Sequence, residues 1–341
     1  MSSIKAILVL RFSSIGDIIQ ATSPVGTLRE LYPGARIDFM TLSKFAPLLE
    51  GHPGLSRVLP LDINASGFEL IKTGKYLDTL DYNLILDLHN SLRSKIIRFG
   101  IRKTKVLSVK KPRYKRLKLF HFHKNSFSGD FNVRTWLHEP LSSFSEKKNI
   151  HPTSLYVSPQ EKESAREMLV SNGIGEDYFV ITPGAAWFQK RWYGDKYAEI
   201  VNYCRRQFGF KAVILGGVND HICDEIKNTA NSALADFHGK TDLRESLAIL
   251  AQAEFIIGSD TGFLHAGEAL GVPVLTILGP TSIETGAGIF LEKSQAIFVK
   301  DLWCRPCSQN GSRPCYRQKR YCMTGISAEN VKQGINTIQA A

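Results

Sequence analysis

Short apolar segments that alternate with helical stretches constrain the fold of this chain more than any other sequence feature. Four such segments lie in the first half of the 341-residue chain and five in the second, and they end in turns rich in Gly, Ser and Asp. Their ranges are 4–10, 36–42, 57–61, 82–88, 178–182, 211–216, 253–258, 273–279 and 296–300. Apolar strands that alternate with helices are typical of parallel sheets covered on both faces. The sequence therefore predicts two doubly wound α/β domains.

A polar stretch over 145–160, with several serines and prolines, separates the two series. We predict an N-terminal domain over 1–155, a C-terminal domain over 156–325, and a terminal helix over 326–341 that packs back toward the N-terminal domain. The composition, 43% hydrophobic and 22% charged, excludes collagen, coiled coils and intrinsic disorder. Because no apolar run is long enough to span a membrane and no signal peptide is recognisable, we expect a cytoplasmic protein.

Positive charge is concentrated in one segment. The chain carries a net charge of +11, and thirteen lysines and arginines lie between Leu88 and Gly129, a stretch without Asp or Glu. This excess predicts an anionic partner, either nucleic acid, a phosphorylated glycolipid or an acidic membrane surface; a solvated face without a partner is the alternative. No RNA- or DNA-binding motif accompanies the charge, so nucleic acid is not expected. The aromatic residues of the segment either enter a lipid interface or pack in the core: Tyr114, Phe120, Phe122 and Phe127.

The loop after the first predicted strand carries a carboxylate at the start of a helix. Residues 11–17 read RFSSIGD, and a helix is predicted from about Ile18 to Tyr32. Asp17 either caps this helix by accepting backbone N–H bonds or acts as a general base. The G-x-G-x-x-G fingerprint is absent, which argues against dinucleotide binding at this loop.

Two loops of the second half place cations and glycines after strands. In TPGAAWFQKRW, Lys190 and Arg191 either bind a diphosphate or form an ordinary surface pair. A glycine turn that includes Gly217 precedes a helix with Asp224 and Glu225. Either one of these carboxylates accepts ribose hydroxyls or both lie on the helix surface.

The strongest local feature is the segment 258–273, which reads GSDTGFLHAGEALGVP. We expect Ser259 or Asp260 to cap a short helix that a glycine and a proline then end. Small residues at its start expose backbone N–H groups, and the helix dipole adds positive charge, so this is a site for phosphates. His265 is either a buried, hydrogen-bonded histidine or a phosphate or sugar contact. The G-x-S-x-G elbow of hydrolases is absent.

Four of the six cysteines cluster near the C-terminus, at Cys304, Cys307, Cys315 and Cys322. Four cysteines can hold a structural zinc ion, although this spacing lacks a second C-x-x-C. Reduced thiols that pack inside the protein are the alternative, and disulfides are not expected in the cytoplasm.

These motifs resemble those of the bacterial lipopolysaccharide heptosyltransferases, glycosyltransferase family 9. The resemblance is carried by SSIGD, PGAAWFQKRW and GSDTGFLHAGEALGVPVLTILGPT, and by NSLRSK at 90–95, and it runs in order from about residue 4 to 325. It implies a GT-B fold, in which two Rossmann-like domains face each other across a cleft. The N-terminal domain then takes the acceptor and the C-terminal domain the donor, ADP-L-glycero-β-D-manno-heptose. The resemblance also implies inversion at the anomeric carbon, with no metal or cofactor required.

The resemblance and the loops together give candidate site residues. Asp17 falls on the catalytic base of the family and Lys190 on its phosphate-contacting lysine. The expected donor-binding residues are Thr182, Gly184, Lys190, Arg191, Gly217, Asp224, Glu225, Thr241, Asp260, Thr261, Gly262 and His265. The expected acceptor-binding residues are Ser14, Gly16, Asn90, Arg93, Lys95, Arg113 and Arg116.

The expected acceptor is the inner core of lipopolysaccharide, either Kdo or the first heptose on lipid A, at the cytoplasmic face of the inner membrane. The basic segment would attract its phosphates and carboxylates and the anionic bilayer. We expect a monomer. PGAAWFQKRW looks closer to the enzyme that adds the second heptose. The alternatives are a glycosyltransferase of the same fold with another nucleotide sugar, a nucleotide-sugar epimerase and, outside enzymes, a nucleic-acid-binding protein.

Overall fold

The computed structural model describes residues 4–129, 131–142, 144, 150–231 and 234–340. The chain forms two units. The first unit contains Met1–Pro112 and Asn132–Tyr156, and the second contains Arg113–Phe131 and Val157–Ala341. After Tyr156 the chain passes from the first unit to the second, within the polar stretch over 145–160 that was predicted as the boundary. Residues 145–149 of this stretch lie outside the described residues. The segment Arg113–Phe131 precedes this boundary but belongs to the second unit, which the sequence does not predict.

The first unit contains a parallel sheet of five strands. Its strands are β1 (Ala6–Leu10), β2 (Arg36–Leu42), β3 (Arg57–Leu61), β4 (Leu84–Asp87) and β5 (Lys105–Ser108). Its helices are α1 (Ile15–Gln20), α2 (Thr22–Leu31), α3 (Gly67–Asp78), α4 (Leu92–Phe99) and α6 (Val133–His138), with 3₁₀ turns at Ser43–Leu49 and Glu139–Leu141. The strand order is β3-β2-β1-β4-β5. The central strand β1 is buried along its whole length, because both faces of the sheet are covered.

The second unit contains a parallel sheet of six strands. They are β6 (Tyr178–Thr182), β7 (Lys211–Ile214), β8 (Leu234–Asp236), β9 (Ile256–Ser259), β10 (Val274–Ile277) and β11 (Gln295–Ile297), in the order β11-β10-β9-β6-β7-β8. Its helices are α5 (Arg113–Phe122), α7 (Pro159–Ser171), α8 (Gly194–Phe208), α9 (Ile222–Thr229), α10 (Leu243–Leu250), α11 (Gly262–Ala269), α12 (Tyr321–Thr324) and α13 (Ala328–Ala340). Short 3₁₀ turns lie at Phe188–Lys190 and Ile283–Thr285.

The strand order of each sheet reverses at one point, and this point positions the functional loops. In the first unit the reversal lies between β1 and β4, and in the second between β6 and β9. The chain leaves the two neighbouring strands in opposite directions there, so a crevice opens at the carboxyl edge of the sheet. The loops after β1 and β4, and those after β6 and β9, therefore flank a natural ligand position within each unit.

The predicted architecture of two parallel, helix-covered sheets is confirmed, and all nine predicted strands are present. The edge strands β5 and β8 are additional. Strand β5 begins with the exposed Lys105 inside the basic segment, and β8 has three residues. Short polar edge strands lack the apolar pattern on which the prediction rests.

One helical prediction differs from the structure. The helix expected over 18–32 is two helices, α1 and α2, that meet at Ala21, and α1 already begins at Ile15. Residues Val331 and Ile335 of the C-terminal helix α13 are buried in the core of the second unit. No helix among the described residues is both long and apolar enough to cross a bilayer.

A capping box with an ion pair begins α7 and makes part of the stability depend on pH. Glu161 accepts a hydrogen bond from the backbone N–H of Ser158, and Arg244 binds both of its carboxylate oxygens at 2.6 and 2.7 Å. The hydrogen bonds from Arg244 lower the pKa of Glu161 to about 2, although burial opposes them, and those from Ser158 add to the effect. The stabilisation is therefore complete above the unfolded-state pKa of about 4.3 and is lost as the pH falls toward 2.

We expect Glu161→Gln to lower the free energy of unfolding by about 1 kcal/mol at pH 7, a value reduced by solvent screening of this partly exposed pair. The difference from wild type should shrink as the pH falls from about 5 to 3. Urea unfolding at these pH values measures it. A difference that stays constant over this range would show that the ion pair does not contribute.

Candidate functional site

A lysine and an aspartate meet where the strand order of the second unit reverses. Lys190 follows β6 and Asp260 follows β9; Lys190 Nζ lies 3.0 Å from Asp260 Oδ2, and the two side chains are 14% and 13% exposed. Thr281 Oγ1 donates to the same oxygen at 2.9 Å, and His265 Nε2 lies 4.0 Å from Asp260 Oδ1. Burial acts to raise the pKa of Asp260, but attraction to Lys190 and His265 and the two hydrogen bonds outweigh it and hold this pKa below its usual value. Asp260 is thus a carboxylate that fixes the Lys190 ammonium group.

Helix α11 begins beside this pair, and its N-terminus lacks a side-chain cap. The N-cap residue is Thr261, not Ser259 or Asp260 as predicted, since Ser259 completes β9 and the Asp260 carboxylate is engaged by Lys190 and Thr281. Thr261 Oγ1 caps no N–H group and has no hydrogen-bond partner within the described part of the chain. This hydroxyl, the first N–H groups of α11 and the remaining N–H donors of Lys190 can all bind an anion.

Arg191 is paired with a different carboxylate. Its Nη2 lies 3.7 Å from Asp220 Oδ1, and its Nε donates to the Ala185 carbonyl at 3.0 Å. Asp220 also accepts a hydrogen bond from the backbone N–H of Gly217 at 2.8 Å. A Cβ on Gly184 would lie 2.2 Å from Asp220 Oδ2, so any side chain there would displace this carboxylate. Both cations of the loop after β6 are therefore held by carboxylates, and neither is the free surface charge that the sequence alone indicates.

The two candidate ribose ligands lie in different surroundings. Asp224 Oδ1 is 3.9 Å from His238 Nε2, and His238 Nδ1 is hydrogen-bonded to Asp236 Oδ1 at 2.6 Å. Glu225 lies against the first residue of α8, because a Cβ on Gly194 would come within 2.6 Å of its Oε2. Asp224 is therefore the carboxylate on the side of the loop after β8, and Glu225 packs against a neighbouring helix.

The other expected donor residues lie at the carboxyl edge of the same sheet. Thr182 ends β6, and its side chain packs so closely on Gly258 that a Cβ there would lie 2.2 Å from Thr182 Oγ1. Thr241 lies just before α10, and its Oγ1 is hydrogen-bonded at 2.9 Å to Oγ of Ser246, which lies within that helix. Gly262 is the first residue of α11.

In the first unit, a buried arginine holds the candidate base. Arg11 Nη2 lies 2.6 Å from Asp17 Oδ1, and the arginine side chain is 10% exposed against 41% for the aspartate. Arg11 also donates to the carbonyls of Ser13 and Leu88. Asp17 Oδ2 accepts from the Ser14 N–H at 2.9 Å and from Ser14 Oγ at 2.8 Å. Ser14, not Asp17, is therefore the N-cap residue, and Asp17 is the third residue of its capping box, accessible to solvent and fixed in orientation.

The loop after β4 lies on the other side of this crevice. Asp87 is fully buried and accepts from the N–H groups of His89 at 3.0 Å and Asn90 at 2.8 Å, and Arg98 Nη1 lies 3.3 Å away. The His89 ring packs on Phe12 with centroids 5.1 Å apart. Sequence reasoning names Asn90 but misses Asp87 and His89. The available signal is their position at the carboxyl end of a buried strand, since Asp87 is the last residue of β4 and His89 follows two residues later.

His89 gives a test of the electrostatics of this crevice. Burial lowers the pKa of His89 to about 4, and the cations Arg11 and Lys111 add to this effect against Asp17 and Asp87. An unfolded histidine has a pKa of about 6.5, so between about pH 6.5 and pH 4 the unfolded protein binds a proton that the folded protein does not. The free energy of unfolding therefore falls as the pH drops through this range. We expect the His89 ring signals in NMR spectra to stay constant from pH 8 to about 5, and His89→Gln to flatten the pH dependence of unfolding. Titration of His89 near pH 6.5 would contradict this electrostatic environment.

The remaining candidate acceptor residues are divided between the units. Gly16 is buried in α1, Arg93 donates to a backbone carbonyl of the first unit at 2.7 Å, and Lys95 is exposed on α4. Arg113 and Arg116 were expected in the N-terminal domain, but both lie on α5 of the second unit. The basic segment is therefore shared by the two units.

The four clustered cysteines are free thiols of intermediate burial. Within the described ranges, the one group of three or more His, Cys, Asp or Glu residues whose ligand atoms all lie within 4.8 Å consists of Asp224, Asp236 and His238. The four cysteines do not form such a group, but they are neighbours, since Cys304, Cys307 and Cys315 all add to the effect of burial on the pKa of Cys322. Burial raises the pKa of Cys322 to about 11, so this thiol is protonated at neutral pH.

Comparison with known proteins places the chain in a family. The family profile described as glycosyltransferase family 9 (heptosyltransferase) matches residues 70–316. The chain belongs to glycosyltransferase family 9. It is 23% identical over 313 residues to lipopolysaccharide heptosyltransferase 1 of Pseudomonas aeruginosa, in a match that covers 88% of this chain and 85% of that relative.

Two solved structures share the fold of this family 9 protein. The glycosyltransferase family 9 structure from Veillonella parvula has a TM-score of 0.81 at 18% identity, covering 100% of this chain and 99% of that one. The Escherichia coli ADP-heptose lipopolysaccharide heptosyltransferase II has a TM-score of 0.73 at 22% identity, covering 98% of both chains. The expectations of a GT-B fold and a glycosyltransferase are confirmed, and the family match favours a glycosyltransferase over the epimerase and the nucleic-acid-binding protein.

Proposed function

We propose that this glycosyltransferase moves a heptose from ADP-L-glycero-β-D-manno-heptose to Kdo or the first heptose of the lipopolysaccharide inner core, on lipid A at the cytoplasmic face of the inner membrane. The reaction inverts the anomeric carbon and requires no metal or cofactor. Family membership and the names of the relatives support the donor and acceptor classes. The observation that carries the proposal is the buried Lys190–Asp260 pair beside the uncapped start of α11.

On the donor side, the site stabilises the departing ADP. The leaving diphosphate gains negative charge as its bond to the anomeric carbon breaks. Lys190 and the N–H groups at the start of α11 are fixed before the reaction, so they stabilise this charge with little reorganisation. Asp260 keeps the lysine in place, Thr261 Oγ1 is available to donate to a phosphate oxygen, and Asp224 accepts the ribose hydroxyls.

On the acceptor side, Asp17 acts as the general base. Its carboxylate takes the proton of the acceptor hydroxyl while that oxygen attacks the anomeric carbon on the face opposite ADP. A single displacement of this kind needs one carboxylate, whereas retention requires a second nucleophilic group. Arg11 and Ser14 hold Asp17 in one orientation, which favours a productive geometry.

Product analysis tests this proposal. The enzyme is incubated with ADP-heptose and a panel of truncated core acceptors that end in Kdo or in the first heptose, and the products are weighed by mass spectrometry. We expect one heptose to be added to one acceptor class, with an equal amount of ADP released and no effect of EDTA. Equal rates with another nucleotide sugar would contradict the donor assignment, and no product with any of these acceptors would contradict the acceptor assignment.

A further inference from the structure

Two basic segments that are far apart in sequence lie side by side in the second unit. The first is α5 with the residues that follow it, and the second is 302–328, which contains five lysines and arginines and no Asp or Glu. The His123 ring meets the Trp303 ring edge-on with centroids 5.7 Å apart. Arg313 donates to the Phe120 carbonyl at 3.3 Å and contacts the His121 ring at 3.2 Å. The fold thereby joins two cationic, acid-free segments into one surface.

This surface exposes large apolar side chains. On α5, Tyr114 is 68% exposed, Leu117 48% and Phe122 63%, and helical periodicity places them on one face. On the adjoining loop, Trp303 is 63% exposed and Tyr316 57%, with their rings 6.1 Å apart. Single exposed apolar residues are ordinary, but a group of five on adjoining elements indicates a binding surface.

Cations lie over these rings. Lys118 Nζ is 4.6 Å from the centroid of Tyr114, and the Arg317 guanidinium is 5.7 Å from that of Trp303. Aromatic rings beside lysine and arginine are the side chains that settle at the headgroup level of a membrane, where the rings reach the acyl boundary and the cations meet lipid phosphates. We name the seven residues the basic aromatic surface: Tyr114, Leu117, Lys118, Phe122, Trp303, Tyr316 and Arg317.

We propose that the basic aromatic surface binds an anionic lipid bilayer and docks the second unit on the membrane. The inference rests on the proposed function only in that a lipid-anchored acceptor requires the enzyme to work at a membrane. The seven residues include no acid, and their elements carry further cations, so the charge complements an anionic leaflet. A lipid-free phosphorylated glycan would use the cations but would leave the five apolar side chains in water, which is why a bilayer is the better occupant.

Vesicle cosedimentation of the full chain tests the proposal. We expect binding to phosphatidylglycerol-rich vesicles that weakens with salt, and no binding to phosphatidylcholine vesicles. The double variants Phe122→Ala/Trp303→Ala and Lys118→Gln/Arg317→Gln should each lower the partition coefficient at least about tenfold. The matched control is Phe68→Ala/Lys72→Gln on α3, another exposed aromatic residue with a lysine 4.6 Å above its ring, and it should bind as wild type does.

Equal binding to both vesicle types, no binding at all, or equal losses in the control would overturn the proposal. So would displacement from the vesicles by equimolar lipid-free phosphorylated oligosaccharide or single-stranded DNA, which would show a different occupant. All of the substituted side chains are exposed or at the surface, and circular dichroism melts verify that the variants fold. Transfer to a soluble, lipid-free acceptor is measured in parallel. If wild type shows no transfer, the proposed function fails, while the vesicle results still decide the role of this surface.

Discussion

Asp17→Asn should lower kcat for heptosyl transfer by about 10³-fold and leave the Kd for ADP unchanged, because a general base contributes on the order of 10² to 10⁴ to a rate. Asparagine keeps the shape of the side chain and can accept the hydrogen bonds from Ser14, but it cannot take the proton of the acceptor hydroxyl. Steady-state kinetics and calorimetric titration with ADP measure the two quantities separately.

Another residue of the chain, Glu161, provides a matched control for this substitution. Glu161 has the same local structure as Asp17, since it is the third residue of a serine capping box and is paired with an arginine. Glu161→Gln thus removes the same kind of structural interaction and should retain the wild-type kcat. Comparable losses in both variants, or an active Asp17→Asn enzyme, would show that Asp17 is only a capping residue.

Lys190→Met should lower kcat by about 10²- to 10³-fold and weaken ADP binding, because it removes a fixed donor from the leaving group. It should also destabilise the fold by about 3 kcal/mol, since Asp260 would remain buried without its cationic partner. Kinetics and urea unfolding of the same preparation give both values.

The double variant Lys190→Met/Asp260→Asn separates the two effects. It removes the unpaired charge, so stability should return toward that of wild type while activity stays low. Lys332→Met, which breaks a pair with Glu199 at 2.7 Å outside the site, is a control for the loss of any lysine and should keep full activity. Recovery of transfer in the double variant would mean that Lys190 serves only to neutralise Asp260.

The sheets could be predicted because strands that are buried on both faces are rich in apolar residues, which is visible in the sequence. Strands β2 and β6 are buried along nearly all of their length, and the structure gives them the predicted ends. Strand β5 could not be found this way, because an edge strand in the basic segment has no apolar run. The position of α5 in the second unit could not be predicted either, because it depends on contacts with residues about 190 positions later, such as Arg313.

The sequence was sufficient to predict individual residues of the candidate site, but not the side chains with which these residues pair. Asp17, Lys190 and Asp260 each follow a central strand, and ligands of parallel sheets bind at those ends. Their partners Arg11 and Thr281 emerge only from tertiary geometry. A sequence shows which charges are available, whereas pairing between loops decides which of them remain free for a ligand.

The anomeric configuration of the product tests the central claim most directly. If Asp17 is the one base and ADP leaves in a single displacement, the β-linked donor gives an α-linked heptose. Proton NMR of the isolated product reads the configuration of the new bond. An α linkage is the predicted result; a β linkage would require two displacements and a second nucleophile, and would contradict the proposed roles of Asp17 and Lys190.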